Sequence, residues 1–301
     1  MACPKCGREQ PDLYECFKQY GTCYLLEESA DEEIYLHEKN YKIVYPLRQG
    51  GMASLYMGEE VSNKNKCVIK EMYSSVMSPE EKISFISMFE VEAFMLISLN
   101  HPAIPSIKDF FIEDDNYYIV MEYIEGVNLS DLLYTSYKEG FSEEEAISIG
   151  IEICDILECL HSNIPPVIHR DINPGNFIRR DRDNKIILLD FGIATIFEHG
   201  HAETLIGTPG YIAPELYEGH IDIRSDIFSL GVTLHELLTC IDPCERVPFE
   251  FELIRSIKPC ISEKMEAIIH KSLEKDINKR FNSVTEMKEE LLDLYRMLYY
   301  Q

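Results

Sequence analysis

The hydrophobic periodicity of the chain changes near Gly126, and that change constrains the fold more than any single motif. Before it, short β-branched and aromatic runs recur: Ile43-Val44-Tyr45, Ser54-Leu55-Tyr56-Met57, Cys67-Val68-Ile69-Lys70 and Tyr117-Tyr118-Ile119-Val120-Met121. Such runs, set apart by polar stretches, predict antiparallel strands. One helical stretch interrupts them, because Phe85, Phe89, Glu92, Leu96 and Leu99 are spaced by three or four. After Gly126 the spacing is helical. Ser142-Glu143-Glu144-Glu145 predicts a capping box, in which the Ser hydroxyl satisfies an orphan amide and Glu145 reaches back. The helix it opens would turn Ile149, Ile153, Ile156, Leu157 and Leu160 to a core. Ser283-Val284-Thr285-Glu286 repeats the device before Met287, Leu291 and Leu294. Strands gathered ahead of helices predict an α+β chain of two lobes: a small antiparallel β lobe with one major helix, then a larger helical lobe.

The 301 residues, 46% of them apolar, suffice for two lobes and a small additional module. No apolar stretch approaches the roughly 20 residues that span a bilayer, and the N-terminus lacks an apolar signal core, so a cytoplasmic protein is expected. A formal charge of −25 argues against nucleic-acid binding, which needs clustered Lys and Arg. A solvated acidic surface accounts for that charge; a groove selecting basic peptides is the alternative.

Of the ten cysteines, six are scattered through the later segments, as suits a reducing compartment. The other four lie in residues 1–26. Cys3-Pro4-Lys5-Cys6-Gly7 sets two thiolates on a tight turn and resembles half of a zinc-ribbon knuckle. The second half is irregular, because Cys16 and Cys23 have six residues between them and Gln19 stands where a second Cys-x-x-Cys would close. Cys3, Cys6, Cys16 and Cys23 are thus candidate ligands of one structural zinc; four unliganded thiols on an extension are the alternative. Residues 27–40, acidic and polar, read as a linker, with the small lobe at 41–124 and the helical lobe at 125–301.

Within that frame, Val167-Ile168-His169-Arg170-Asp171-Ile172-Asn173-Pro174-Gly175-Asn176 is followed fourteen residues later by Asp190-Phe191-Gly192. The order sets one aspartate and two oxygen ligands at phosphoryl-transfer spacing. With these runs the chain, over about residues 41–295, resembles the protein kinase family and its bacterial-type Ser/Thr members. The resemblance implies ATP- and Mg²⁺-dependent transfer of a phosphoryl group to Ser or Thr hydroxyls of protein substrates, the chain itself included. It makes Asp171 the catalytic aspartate with His169 packed beneath it, and Asn176 and Asp190 the Mg²⁺ ligands. Arg170 marks the class in which a phosphorylated activation segment docks on a guanidinium, with Thr204 the candidate phosphosite.

Leu47-Arg48-Gln49-Gly50-Gly51-Met52-Ala53-Ser54-Leu55-Tyr56 aligns with the family's glycine-rich loop, whose amides close over the phosphates at Gly50, Gly51, Met52 and Ala53. It is an eroded copy: Arg48 and Ala53 replace two glycines and Leu55 the usual Val. A hairpin turn with two glycines explains the run equally well by itself. By the same resemblance Lys70 pairs the phosphates and Glu92 pairs Lys70, with Glu90 the competing carboxylate. Met121-Glu122-Tyr123 begins the hinge joining the lobes, Met121 as gatekeeper, with backbone groups facing the adenine edge. Leu47, Leu55 and Val68 would roof the base and Ile178 would floor it. Gly207-Thr208-Pro209-Gly210-Tyr211-Ile212-Ala213-Pro214-Glu215 resembles the platform on which a peptide lies, Thr208 being typical of Ser/Thr specificity. Glu215 is expected to pair with Arg280, and Asp226 to anchor the catalytic-loop backbone.

One position departs from the family. Asn173 stands where Ser/Thr kinases usually carry a Lys that meets the transferring phosphoryl group, and losing such a contact commonly costs on the order of 10² to 10³ in rate. Pro174-Gly175-Asn176 also resembles the loops of small-molecule phosphotransferases. Arg48, Ala53 and Asn173 leave a second alternative, a pseudokinase that binds a nucleotide or a partner without transferring phosphate.

Overall fold

The strand-favouring runs become strands because each can turn one side chain in two to a core and the next away from it. The computed structural model describes residues 34–49, 53–72, 97, 99–113, 116–189, 195–196 and 207–299. These fall into two compact units, one taking the described residues before 99 with Pro105–Tyr123, the other Leu99–Ile104 and the residues from Ile124 on.

The first unit is a six-stranded antiparallel sheet in the order β1-β2-β3-β4-β6-β5. Its strands are β1 (Tyr35–Leu36), β2 (Tyr41–Gln49), β3 (Ala53–Glu60), β4 (Lys66–Met72), β5 (Ile107–Glu113) and β6 (Asn116–Glu122). Tyr56, Ile69 and Val120 lie opposite one another across three strands. With Cys67, Leu36, Tyr41, Phe111 and Tyr118 they form a hydrophobic cluster on one face. Although β1 and β5 are the two ends of the hydrogen-bonded order, the sheet curls enough to bring the turn after β1 and the start of β2 against β5. Tyr41 donates to Asp109 at 3.1 Å, and the His37 ring meets Phe111 edge-on with centroids 4.5 Å apart. The twist of antiparallel strands gives this curl its direction.

Two strands depart from the sequence reading. β1 lies inside the stretch read as a linker, because Leu36 is buried beside Tyr41 in the cluster. In β5, Lys108 and Asp109 interrupt the apolar run that would have marked it. The helix predicted around Glu92 and the cysteine segment lie outside the described residues.

The second unit is mainly helical: α1 (Leu129–Ser136), α2 (Glu143–His161), α3 (Pro214–Tyr217), α4 (Arg224–Thr239), α5 (Ile254–Ile257), α6 (Glu263–Ser272) and α7 (Val284–Tyr299). The predicted capping box opens α2, with Glu145 N donating to Ser142 Oγ and Ser142 N to the Glu145 carboxylate. All five of its anticipated apolar positions are buried. Gly150 lets α2 approach its neighbours, since a Cβ there would meet Leu234 of α4 and Leu291 of α7 at 3.2 Å. At α7 the box closes differently. Ser283 Oγ accepts the Glu286 amide, but the Glu286 carboxylate takes the backbone and side-chain amides of Asn282, one residue earlier than expected.

Helix α4 is the centre of this unit, with every residue from Ser225 to Leu238 buried. Two small ribbons complete the unit: β7 (Gly126–Asn128), β9 (Phe177–Arg180) and β10 (Ile186–Leu188) form one sheet, and β8 (Val167–Ile168) pairs with β11 (Thr195–Ile196). Among the described residues no helix is long and apolar enough to cross a membrane.

Candidate active site

The chain leaves β8 at Ile168 and turns sharply at Arg170, whose φ of 65° is left-handed. For a non-glycine residue that conformation costs on the order of 1–2 kcal/mol, so the surrounding structure must impose it. Asp226 does so from the first turn of α4. Its carboxylate, with no solvent exposure, accepts the amides of His169 at 2.9 Å and Arg170 at 2.8 Å, and His161 Nε2 lies 2.9 Å from it. Burial pushes the Asp226 carboxyl up, but hydrogen bonding and charge from His161, with His169, outweigh burial and hold it below its ordinary value. Burial lowers the pKa of the Arg170 guanidinium, with Asp226 opposing the shift. Asp226 thus holds the backbone leading into Asp171, and His161 is a member of that anchor that the sequence did not reveal.

The anchored loop presents Asp171 with both carboxylate oxygens engaged. Oδ2 accepts from Asn176 Nδ2 at 2.8 Å, and Oδ1 accepts the backbone amide of Thr208 at 2.9 Å. Asn176 Nδ2 also donates to the Asp171 carbonyl at 2.8 Å. Beneath them His169, fully buried, accepts the Asp171 amide on Nδ1 at 3.3 Å. Asn128, the N-cap of α1, braces the far side of the loop by donating to the Gly175 carbonyl at 2.5 Å. A carboxylate held this way keeps a set direction without reorganising, which is the condition for general-base or hydroxyl-orienting chemistry. With its Nδ2 turned to Asp171, Asn176 has Oδ1 to offer a hard cation.

The segment after Gly207 is tied to the same helix. Glu215 and Arg280 form the anticipated pair, with two contacts of 2.7 Å, and Ser225 Oγ donates to Glu215 at 2.7 Å. Ser225, Ser229 and Thr233 recur at intervals of four along α4. Ser229 Oγ reaches the Tyr211 carbonyl at 2.8 Å and Thr233 Oγ1 the Ile172 carbonyl at 3.0 Å. One face of α4 thus holds both the Asp171 loop and the segment that carries Tyr211. Polar residues at four-residue spacing in an otherwise apolar helix were a legible signal that sequence reasoning passed over. Glu236 continues the polar set: both Tyr134 and Tyr211 donate to its carboxylate, the former at 2.6 Å. Burial raises its pKa to about 7, with the two tyrosine hydrogen bonds opposing.

In the sheet unit, register sorts the candidate nucleotide-binding residues. Leu55, Lys70 and Ile119 lie opposite one another on β3, β4 and β6, as do Met57, Val68 and Met121. Ala53, Leu55, Val68, Lys70 and Met121 therefore share the face that turns away from the Tyr56–Ile69–Val120 cluster. Lys70 is buried at 4% exposure, Met121 at 9%, and Leu47, Leu55 and Val68 are half-buried. At the end of β6 the Glu122 amide donates to the Ser106 carbonyl at 2.9 Å, and the Tyr123 ring lies 5.3 Å from Lys66 Nζ. Ile178, in the helical unit, packs with Ile124 and Ile187. Gly50, Gly51, Met52, Glu92, Asp190 and Thr204 lie outside the described residues.

Known proteins are similar to this chain over most of its length. The chain is 33% identical over 270 residues to serine/threonine-protein kinase PrkC of Bacillus subtilis (strain 168), covering 83% of this chain and 40% of that protein. It is 28% identical over 324 residues to serine/threonine-protein kinase Pkn1 of Myxococcus xanthus, covering 96% and 45%. Against serine/threonine-protein kinase C of Synechocystis sp. (strain ATCC 27184 / PCC 6803 / Kazusa) the identity is 32% over 272 residues, covering 85% and 50%. The chain spans half or less of the length of these relatives. The family described as Protein kinase domain matches residues 41–292, a span that takes in the strands of the sheet from β2 on, the Asp171 loop and the helices through most of α7, and the chain belongs to the protein kinase family.

Proposed function

We propose that this chain is an ATP- and Mg²⁺-dependent protein kinase that transfers the γ-phosphoryl group to Ser and Thr hydroxyls of proteins, its own among them. The observation that carries the reading is the Asp171 carboxylate, fixed between Asn176 Nδ2 and the amide of Thr208. Held there, Asp171 orients the acceptor hydroxyl and takes its proton. Thr208 belongs to the segment that resembles a peptide platform, which favours a protein acceptor over a small molecule. The relatives' names favour the same acceptor class.

Asn176 and Asp190 supply the oxygen ligands, of the hard type that Mg²⁺ prefers. Bound Mg-ATP supplies the phosphoryl group and the neutralising charge. By resemblance to the family, Lys70 with Glu92 as its partner would hold the phosphates, together with the amides of Gly50, Gly51, Met52 and Ala53. By the same resemblance, Leu47, Leu55, Val68 and Met121 of the sheet unit and Ile178 of the helical unit would supply apolar contacts to the base, and the backbone of Glu122 and Tyr123 its hydrogen bonds. In support of this set, five of the residues share one face of the sheet.

Two finer points belong to the same reading. Cys3, Cys6, Cys16 and Cys23 form a structural zinc site, supported by the Cys-x-x-Cys-Gly turn and by a count of four thiolates. Purified protein should then hold about one zinc per chain, lost with Cys3→Ser and Cys6→Ser together; metal-free native protein refutes the site. The six described cysteines are free thiols, which suits the reducing cytoplasm.

The test is transfer of radiolabelled γ-phosphate from Mg-ATP by wild type and Asp171→Ala, to the protein itself and to a generic basic protein, with phosphosites mapped. Label on Ser or Thr from wild type alone is expected. Equal labelling by the variant overturns the role of Asp171. Absence of label with nucleotide binding intact turns the reading to a partner-binding pseudokinase or a small-molecule acceptor.

A further inference from the structure

Asn173 stands where the family usually carries a Lys whose charge meets the transferring phosphoryl group, and its surroundings show what the amide does instead. It is 7% exposed, and its backbone is extended at φ −150°, ψ 159°, as the cap of the short turn Pro174–Asn176. Oδ1 accepts the Gly175 amide at 2.9 Å. A backbone amide can only donate, so this contact fixes which end of the Asn173 side chain is oxygen. Nδ2 then faces the Asp171 carbonyl at 3.2 Å and Thr208 Oγ1 at 3.3 Å. With one acceptor engaged and two N–H bonds directed at two oxygens, the amide is committed within the protein.

Those contacts close a ring. Thr208 N donates to Asp171 Oδ1, Asn173 Nδ2 meets Thr208 Oγ1, and the same Nδ2 meets the carbonyl of Asp171. The residue after the intervening proline fits the arrangement too, because a Cβ at Gly175 would lie 2.9 Å from Asn173 Oδ1. Asn173 and Gly175 therefore work as a unit, the amide occupying space that any larger residue at 175 would take.

We propose that Asn173 is a positioning residue, which ties the Asp171 loop to Thr208 and so sets the direction of the Asp171 carboxylate, rather than a group that contacts the transferring phosphoryl. The proposal rests on the reading of Asp171 as the hydroxyl-orienting base. It assigns the Asn173–Thr208 contact the task of keeping loop and peptide platform in register, so that the acceptor hydroxyl and the carboxylate arrive together.

Asn173→Ser separates the two roles of the side chain. Serine caps the Gly175 amide about as well as asparagine, so the loop should fold, but its hydroxyl is too short to hold Thr208. The expected result is a melting temperature close to wild type, kcat lowered about 10- to 100-fold and KM for ATP within about twofold. Thr208→Val should give a similar loss, and the double variant should lose no more than the worse single one, because both remove the Asn173–Thr208 contact. Multiplying losses, or an Asn173→Ser kcat equal to wild type, overturn the proposal.

Hydrogen exchange at the Thr208 amide supplies a readout independent of turnover. In Asn173→Ser it should accelerate about tenfold or more while the Gly175 amide stays protected. Unchanged Thr208 exchange overturns the positioning role whatever the activity. Accelerated exchange in a protein whose wild type transfers no phosphate retains the positioning role and removes the kinase reading.

Discussion

Arg280 and Glu215 meet through two parallel contacts, Nη1 to Oε1 and Nη2 to Oε2, each at 2.7 Å, with the Arg280 side chain wholly excluded from solvent. The guanidinium also donates to the carbonyls of Glu274 and Arg224 and lies 4.9 Å from the Phe228 ring centroid. Four of its five N–H groups are thus engaged, on three separate segments. Removing one partner of a buried pair leaves an uncompensated charge, at a cost on the order of 3–5 kcal/mol. Arg280→Met should lower the urea midpoint accordingly. Arg280→Lys should recover little, since an ammonium cannot reproduce the fork. A midpoint unchanged in Arg280→Met would show that the pair is decorative.

Asp226→Asn tests the anchor of the Asp171 loop. The carboxylate accepts the amides of two consecutive residues on its two oxygens, and an amide can offer oxygen to only one of them. The other N–H would face the Asn NH₂ across a buried contact, at about 1–3 kcal/mol for an unsatisfied donor. Arg170 is held at positive φ by this anchor, so relaxation there should carry Asp171 with it. The expected outcome is a moderate loss of stability and a fall of about 10² or more in kcat, with ATP affinity kept. Nucleotide titration by calorimetry alongside steady-state kinetics separates the two, and a variant with normal kcat refutes the linkage.

The parts of this structure that were legible in sequence are those encoded locally. The β2, β3, β4 and β6 runs carry their own alternation, and Ser142 and Glu145 sit within one helical turn of each other. Motif resemblance extended that reach to Glu215–Arg280 and Asp226. What escaped depended on partners far apart in sequence. His161 ends α2, where nothing local distinguishes it from any polar helix terminus; only folding brings it to Asp226, 65 residues on. β1 is two residues long and is a strand because Leu36 finds the cluster around Tyr41, which its acidic neighbours conceal. Asn173 is visible in sequence as a departure from the family, yet its side-chain contact is with Thr208, 35 residues away.

Asn176 gives a prediction about the metal. Its Nδ2 is turned to Asp171, so Oδ1 is the atom assigned to Mg²⁺ under the proposed function. Asn176→Ala removes both the proposed ligand and one of the two donors on the Asp171 carboxylate. The concentration of Mg²⁺ for half-maximal transfer should rise about 10- to 100-fold, together with a lower kcat at saturating metal. Thr208→Val keeps the backbone donor to Asp171 and should leave the Mg²⁺ requirement unchanged. Equal Mg²⁺ requirements in wild type and Asn176→Ala would exclude Asn176 from the metal site.

Glu236 predicts a pH dependence of stability with a definite sign. Burial raises its carboxyl from 4.5 to about 7, with the tyrosine bonds insufficient to offset it. The folded state therefore binds a proton that the unfolded state has released between those values. Stability from this group is fully present below about pH 4.5 and declines as pH rises towards 7, by on the order of 3 kcal/mol. His235 contributes the opposite slope, since burial holds its imidazole below the ordinary 6.5 and its unfolded form takes up a proton as pH falls. The comparison that isolates Glu236 is therefore wild type against Glu236→Gln, a neutral side chain that still accepts from one tyrosine. Urea unfolding between pH 5 and 8 should show the variant gaining on wild type as pH rises. A difference that is flat across that range would mean that Tyr134 and Tyr211 hold the Glu236 carboxylate ionised throughout it.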